Sequence, residues 1–249
     1  MTGAGSKPTT AEMHPGPGLR VRGNLRRPDP AVIAAFAEFD TPAISDLMNR
    51  LFTMSERIRP LTDPSIGLIG PACTVKVFPG DNLMVHKSLD IAQAGDVIVV
   101  DASASSLTAV LGDLVSTKAK HRGIAGFVVD GLIRDLPAIL RLHDFPVFAC
   151  GVTPIGPLHR GPGEVNYPIS AGGIVVSPGD VVVGDRNGVV VVPQDSANEV
   201  INRLRARAAT EAHYHAAVAR GDFSNAWVDA ILLGAGVHIE SDTADDQGR

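Results

Sequence analysis

Asp113 is followed, after twenty intervening residues, by the adjacent pair Arg134 and Asp135 in the stretch Asp130-Gly131-Leu132-Ile133-Arg134-Asp135. Two carboxylates and a guanidinium brought together could hold a divalent metal and an anionic substrate. The residues between them decide whether they meet. Gly112-Asp113-Leu114 opens a helical stretch, and Gly126-Phe127-Val128-Val129 reads as an apolar strand. A helix of about eleven residues and the strand that answers it cover similar lengths, about 16 to 20 Å each. The helix start and the strand end therefore share one edge of a sheet. Open α/β sheets bind ligands at that edge, outside the carboxyl ends of their strands.

Taken singly, each residue also has an ordinary reading. Asp113 at a helix start caps free amides and suits the dipole. Asp135 stands before Leu136-Pro137, where another helix begins, and Arg134 could be a surface ion-pair partner worth under about 1 kcal/mol. Asp130 reads as a turn residue at the strand end. Together the case changes, because three ionisable groups converge on one edge and capping uses only one of the two that share a turn. On the joint reading the amides of the helix start cradle a substrate carboxylate while Asp113 holds a water beside it.

The elements that must position these residues follow from the surrounding pattern. Residues 30–38 form a short helix, and Asp40-Thr41-Pro42 starts a second that runs to about Leu51. A strand at Ala72–Phe78, a turn at Pro79-Gly80-Asp81 and a helix through Asn82–Ala92 come next, then the strand Val97–Asp101 and a small-residue loop at 102–106. Helices keep alternating with short Val/Ile strands through Val147-Phe148-Ala149, which predicts a sheet covered by helices. From Ile169 the texture becomes strand, turn, strand, turn, strand, with Pro178-Gly179-Asp180 and Asp185 to Gly188 as turns. That predicts an antiparallel meander, closed by a helix from about Ser196 to Arg220. Residues 1–29 read as a flexible extension, 30–240 as one α/β domain, and 241–249 as a disordered acidic tail.

Composition removes several function classes. A net charge of −5 and a pI near 5.9, with no local Lys/Arg block, give no surface for a nucleic-acid backbone. No apolar run reaches the length of a membrane span. The two cysteines, Cys73 and Cys150, rule out a disulfide framework and a four-cysteine zinc site, and point to a reducing, cytoplasmic setting. No Gly-rich loop follows the first strand as in dehydrogenases or methyltransferases. Gly3-Ala4-Gly5-Ser6-Lys7 lacks the spacer and flanking elements of a phosphate loop. The eight histidines show no paired-ligand spacing; His213 and His215 face different directions on a helix, and all are expected at the surface. Lys118 and Lys120 lie mid-helix among polar neighbours, which do not lower an amine's pKa as imine formation needs.

The pattern Asp113, twenty residues, Arg134-Asp135 resembles that of the class II pyruvate aldolases acting on 4-hydroxy-4-methyl-2-oxoglutarate or 4-carboxy-4-hydroxy-2-oxoadipate, within the RraA-like family. Thr41 to Asp46, Asp81-Asn82 with Gly95-Asp96, Gly112 to Asp135, Gly151 to Pro154, Gly172-Gly173, Pro178 to Asp180 and Asn187 to Pro193 follow in the family's order. The resemblance implies a single-domain layered α/β sandwich related to swivelling domains, assembled as a homotrimer or a dimer of trimers with sites between subunits. It implies a magnesium or manganese ion, held by Asp135 and, through water, by Asp113. Arg134 would bind the pyruvyl group, and the segment Gly112, Leu114 and Val115 would receive the substrate carboxylate on its amides. An acidic residue from a neighbouring subunit's C-terminal region completes the family pattern, and Glu211 is the nearest candidate. Oxaloacetate decarboxylation is implied as a side activity.

The chemistry agrees with the residues. Cleaving a carbon–carbon bond β to a ketone leaves an enolate, and without a lysine imine that charge must fall on an oxygen beside a cation. Two alternatives stay open: an RraA-type binding protein that inhibits ribonuclease E activity, and a decarboxylase or hydrolase of another 2-oxo acid using the same groups.

Overall fold

The computed structural model describes residues 12–238. Its first strand is β1 (Leu19–Val21), followed by α1 (Pro30–Ala35), α2 (Thr41–Leu47), β2 (Arg59–Pro60) and β3 (Leu68–Val77). Then come α3 (Leu83–Ile91), β4 (Val97–Asp101), β5 (Ala109–Leu111), α4 (Asp113–His121), β6 (Gly126–Ile133), α5 (Leu136–Leu140) and β7 (Val147–Val152). The short strands β8 (Gly163–Val165), β9 (Ile169–Ala171) and β10 (Ile174–Val176) lead to β11 (Val181–Asp185) and β12 (Gly188–Val192). Two helices end the described chain, α6 (Ala197–Ala219) and α7 (Ala226–Gly234).

The main sheet runs β1-β8-β3-β4-β6-β7-β2 and is parallel from β3 to β7. Its central strands are apolar on both faces because both are covered. Val97 and Val99 of β4 face one cluster while Ile98 and Val100 face another, and Phe127, Val128 and Val129 of β6 alternate in the same way. One cluster lies under α3 and α4, with Met84, Val85, Leu89, Val115 and Ala119. The opposite one holds Met54, Ile58, Phe148 and the inner residues of β9 to β12. A third packs α1, α2 and the first turns of α6 on the β11–β12 hairpin. This is the layered α/β sandwich that the sequence predicts.

Four expectations change. The extension does not end before the fold begins: β1 pairs parallel with β8, Arg20 meets Glu164 at 2.5 Å, and Arg27 bonds both oxygens of buried Asp96 at 2.7 and 2.6 Å. Residues 1–11 and the acidic tail lie outside the described residues. Helix α2 stops at Leu47 rather than Leu51, because Asn49 and Arg50 turn left-handed. The meander resolves into two hairpins, since β10 pairs back onto β9 while β11 pairs with β12 and β3. Helix α7 has no counterpart in the sequence reading. The chain divides into two compact units, Met1–Leu204 and Arg205–Arg249. Among the described residues no helix is long and apolar enough to cross a membrane.

Candidate active site

The predicted edge forms, and a short strand forms it. β5 runs parallel to the end of β6 with Leu111 beside Ile133, so the residues that follow each strand, Gly112 and Arg134, lie together. The Arg134 N–H donates to Leu111 O at 3.0 Å and fixes the meeting point. The α4 N-terminus therefore opens next to the Arg134-Asp135 turn.

Arg134 is held by two glycines. A Cβ on Gly112 would press into Asp135 Oδ2 and stand 3.0 Å from Arg134 Cγ and 3.3 Å from Nε. A Cβ on Gly156 would run into Arg134 Nη1 and lie 3.4 Å from Cζ. The guanidinium thus threads between two bare backbones, and its Nε meets Asp135 Oδ2 at 3.1 Å. Asp135 holds the N-cap position of α5, but its backbone is left-handed, with φ 57° and ψ 30°, and its side chain bonds no helix amide. Aspartate is among the few residues that adopt this conformation readily. Asp113 is the first residue of α4 and not its cap; Gly112 holds the cap position. Asp113 Oδ1 accepts from the Leu114 N–H at 2.8 Å, so that amide is free for a substrate carboxylate only when Asp113 turns away.

These two aspartates differ from six others of the first unit. Asp81 accepts from the Leu83 and Arg160 amides, Asp96 from Arg27 and Gln93, and Asp101 from Lys76 and Ser103. Asp130 accepts from the Gly172 amide, Asp180 from Ser177 and Gln194, and Asp185 from Thr41 and Asn187. They tie turns to the sheet. Asp113 and Asp135 stay partly open to solvent, and one oxygen of each has no protein donor among the described residues.

A cleft of about 190 Å³ lies over this edge, lined by Asn82, His86, Leu111, Gly112, Asp113, Leu114, Val115, Arg134, Pro157 and His159. The loop bearing Pro157 and His159 is pinned from both sides. Leu158 N–H donates to Gly80 O at 2.8 Å, Asn82 N–H to Leu158 O at 3.0 Å, and Ala109 N–H to Ile155 O at 2.9 Å. His159 is exposed, as the sequence predicts for every histidine, whereas His86 is half-buried. Their rings pack edge to face at 5.4 Å between centroids, and His159 Nδ1 lies 2.6 Å from Asn82 Oδ1. Burial, then the neighbouring His159 and Lys118, hold the His86 ring below its ordinary pKa. Sequence reasoning missed this pair because its partners are 73 residues apart, His86 on α3 and His159 on a loop. The one available signal was the Asp81-Asn82 turn, which bonds the same loop.

No lysine lines the cleft, and Lys120 is bonded to the carbonyls of Leu142 and His143. Among the described residues no three His, Cys, Asp or Glu side chains cluster into a ready-made metal cage. The donors at hand are two carboxylates with oxygens to spare. That set fits a magnesium-type ion, which keeps several waters and takes one or two carboxylates plus substrate oxygens. It does not fit structural zinc. Glu211 lies on α6 in the second unit, where it pairs with Arg207 at 2.9 Å and His215 at 3.8 Å. The cleft is lined by the first unit alone.

A layered α/β fold with an arginine and two open carboxylates at a helix N-terminus defines a protein class, and sequence comparison names it. The RraA-like family model, described as Aldolase/RraA, matches residues 41–191. The chain belongs to the RraA-like family. A relative from Halalkalibacterium halodurans, named "Putative 4-hydroxy-4-methyl-2-oxoglutarate aldolase", is 42% identical over 179 residues, covering 72% of this chain and 84% of the relative. The structure of Streptomyces coelicolor RraAS2, described as an unusual member of the RNase ES inhibitor RraA protein family, is similar with a TM-score of 0.69. It is 30% identical over 77% of this chain and 99% of that one. The RNA-processing inhibitor RraA from Thermus thermophilis gives a TM-score of 0.57 at 31% identity, covering 62% of this chain and 93% of its own.

Proposed function

We propose that this chain cleaves a 4-hydroxy-2-oxo acid of the 4-hydroxy-4-methyl-2-oxoglutarate type to pyruvate and a second oxo acid, and decarboxylates oxaloacetate at the same site. The observation that carries this reading is the Arg134 guanidinium, clamped between Gly112 and Gly156 beside two carboxylates with unused oxygens. The name of the 42% identical relative supports it.

Both reactions pass through the enolate of pyruvate. Arg134 binds the pyruvyl group and sets a fixed positive charge beside the oxygen where the enolate forms. The α4 N-terminus, through the amides of Leu114 and Val115, receives the substrate carboxylate once Asp113 turns toward the cleft. Asp113 holds a water that moves a proton to or from the substrate. Asp135, with Asp113 through water, would hold Mg2+ or Mn2+, which when bound supplies further positive charge at the keto oxygen. We propose a cytoplasmic homotrimer or dimer of trimers in which Glu211 reaches a neighbouring subunit's site.

Pyruvate release from 4-hydroxy-4-methyl-2-oxoglutarate and from oxaloacetate, followed with and without magnesium, tests the reading. Wild-type protein should release pyruvate from both substrates only with the ion present. Asp135→Ala and Arg134→Ala should each lose at least roughly 100-fold, the second while still binding Mn2+. Metal-loaded wild type that releases no pyruvate, or an Asp135→Ala variant as active as wild type, would overturn it. The similarity to RraAS2 supports a second reading, ribonuclease inhibition. Inhibition of a ribonuclease E-type activity without any pyruvate release would decide for it.

A further inference from the structure

We propose that His159 is the general base that takes the proton from the substrate's 4-hydroxyl group, set for that role by Asn82. The proposal rests on the aldolase reading above and assigns a step which that reading leaves open.

The argument begins at Asn82, which is almost wholly buried, at 3% exposure. Its Nδ2 donates to Val110 O at 2.9 Å. Turning the amide over would set two oxygens against each other, so Oδ1 must be the atom that faces His159. Oδ1 can only accept, and it lies 2.6 Å from His159 Nδ1. Nδ1 therefore carries the proton. In the neutral ring the lone pair is then left on Nε2, in a side chain that lines the cleft with Asp113 and Arg134. Free imidazole in water has no such fixed preference for this form; here a buried amide imposes it. An orienting group bonded to one ring nitrogen, with the other presented to the substrate, is the arrangement that makes a histidine a base.

Its surroundings suit the task. His86 packs edge-on against His159 and, being partly buried, is held toward its neutral form. The Asp81 carboxylate takes the Arg160 amide and fixes the backbone next to His159. The base is thus anchored at both the ring and the main chain.

The step balances without any further reagent. As His159 Nε2 takes the hydroxyl proton, the C3–C4 bond breaks and its electron pair passes toward the C2 carbonyl, giving the pyruvate enolate. The C4–O bond becomes the carbonyl of the second oxo acid. The enolate then takes a proton at C3 from the water beside Asp113, and Nε2 returns its own to solvent. Oxaloacetate has no 4-hydroxyl to deprotonate, so its decarboxylation needs only the second half of this sequence.

That difference supplies the test. His159→Gln should lower kcat/KM for 4-hydroxy-4-methyl-2-oxoglutarate by about 100-fold or more, while oxaloacetate decarboxylation falls by less than about threefold. Equal losses on both substrates, or no loss on either, would overturn the proposal. A wild-type protein inactive on both would instead overturn the aldolase reading itself. A second measurement does not depend on turnover: two-bond 1H–15N correlation spectra of the protein labelled in histidine, assigned with His159→Gln, should show His159 as the Nδ1–H tautomer. An Nε2–H signal there would remove the basis of the proposal.

Discussion

At the scale of single residues, Arg134 is positioned by two neighbours that carry no side chain, Gly112 and Gly156. Asp113, Arg134 and Asp135 announce themselves by type and spacing. Gly112 could be read from the chain for its place at the helix start, but its contact with Asp135 and Arg134, and that of Gly156 with Arg134, could not. Gly112 has extended dihedrals, φ −148° and ψ −157°, which any residue adopts. Alanine at Gly112 or Gly156 should therefore act through the displaced guanidinium and not through backbone strain. For Gly156→Ala the obstacle is the far end of a flexible side chain, so the arginine can move aside at little cost in stability. We expect a melting temperature within about 3 °C of wild type, a shift that corresponds to roughly 1 kcal/mol. Because Arg134 would lose its position, kcat/KM for pyruvate release should fall about tenfold or more. Gly112→Ala, which meets Asp135 as well, should fall further and also weaken Mn2+ binding. Unchanged kinetics in both variants would mean that the glycine clamp does not position Arg134.

The strands and helices were legible wherever local pattern decides them. The strand Val97–Asp101 has the bounds that its Val/Ile run and the preceding Gly95-Asp96 turn suggest. The elements that escaped are those whose partners are distant. Three residues of β1 become a strand only because β8, far along the chain, offers an edge, and β10 turns back to β9 although its sequence would suit β11 equally well. Side-chain ties of the same reach hold the helices to the sheet, and the one between α2 and β11 is open to a pH experiment. Asp185 accepts from the Thr41 N–H at 2.9 Å, the Thr41 hydroxyl at 2.7 Å and the Asn187 N–H at 2.7 Å. Burial pushes the Asp185 carboxyl up, but these three donors outweigh it and hold the group below its ordinary value of 3.8. A carboxyl depressed in the folded state contributes stability above its unfolded pKa and loses it as pH falls through the folded one. Wild type should thus melt higher than Asp185→Asn near pH 7, and the gap should narrow on going below about pH 4. Other depressed carboxyls, Glu164 and Asp63, are present in both proteins and cancel in the difference. A gap as wide at pH 2.5 as at pH 7 would show that the Asp185 charge has no part in the tie.

Over the whole molecule the largest departure from the sequence reading is the second unit. The closing helix α6 was visible, but α7 was not, because its nine residues are apolar nearly all round and show no clear face. Trp227, Ile231 and Leu233 are each about 60% exposed, with Phe223 before them equally open. A helix this short is marginal on its own in water, and contiguous apolar side chains mark a contact surface. The covering surface is another copy of this chain if the protein assembles as we propose. Trp227 is the sole tryptophan, so its fluorescence reports on that cover without labelling. At micromolar concentration the emission should be blue-shifted, light scattering should give a multiple of 26.0 kDa, and dilution should move both together. Ile231→Glu puts a charge one helical turn beyond Trp227, where burial without a partner is costly. That variant should give a single-chain mass and red-shifted emission, with the far-UV spectrum of the α/β unit retained. A wild type that scatters as one chain, with Trp227 already emitting as in water, would leave α7 uncovered and the trimer without support.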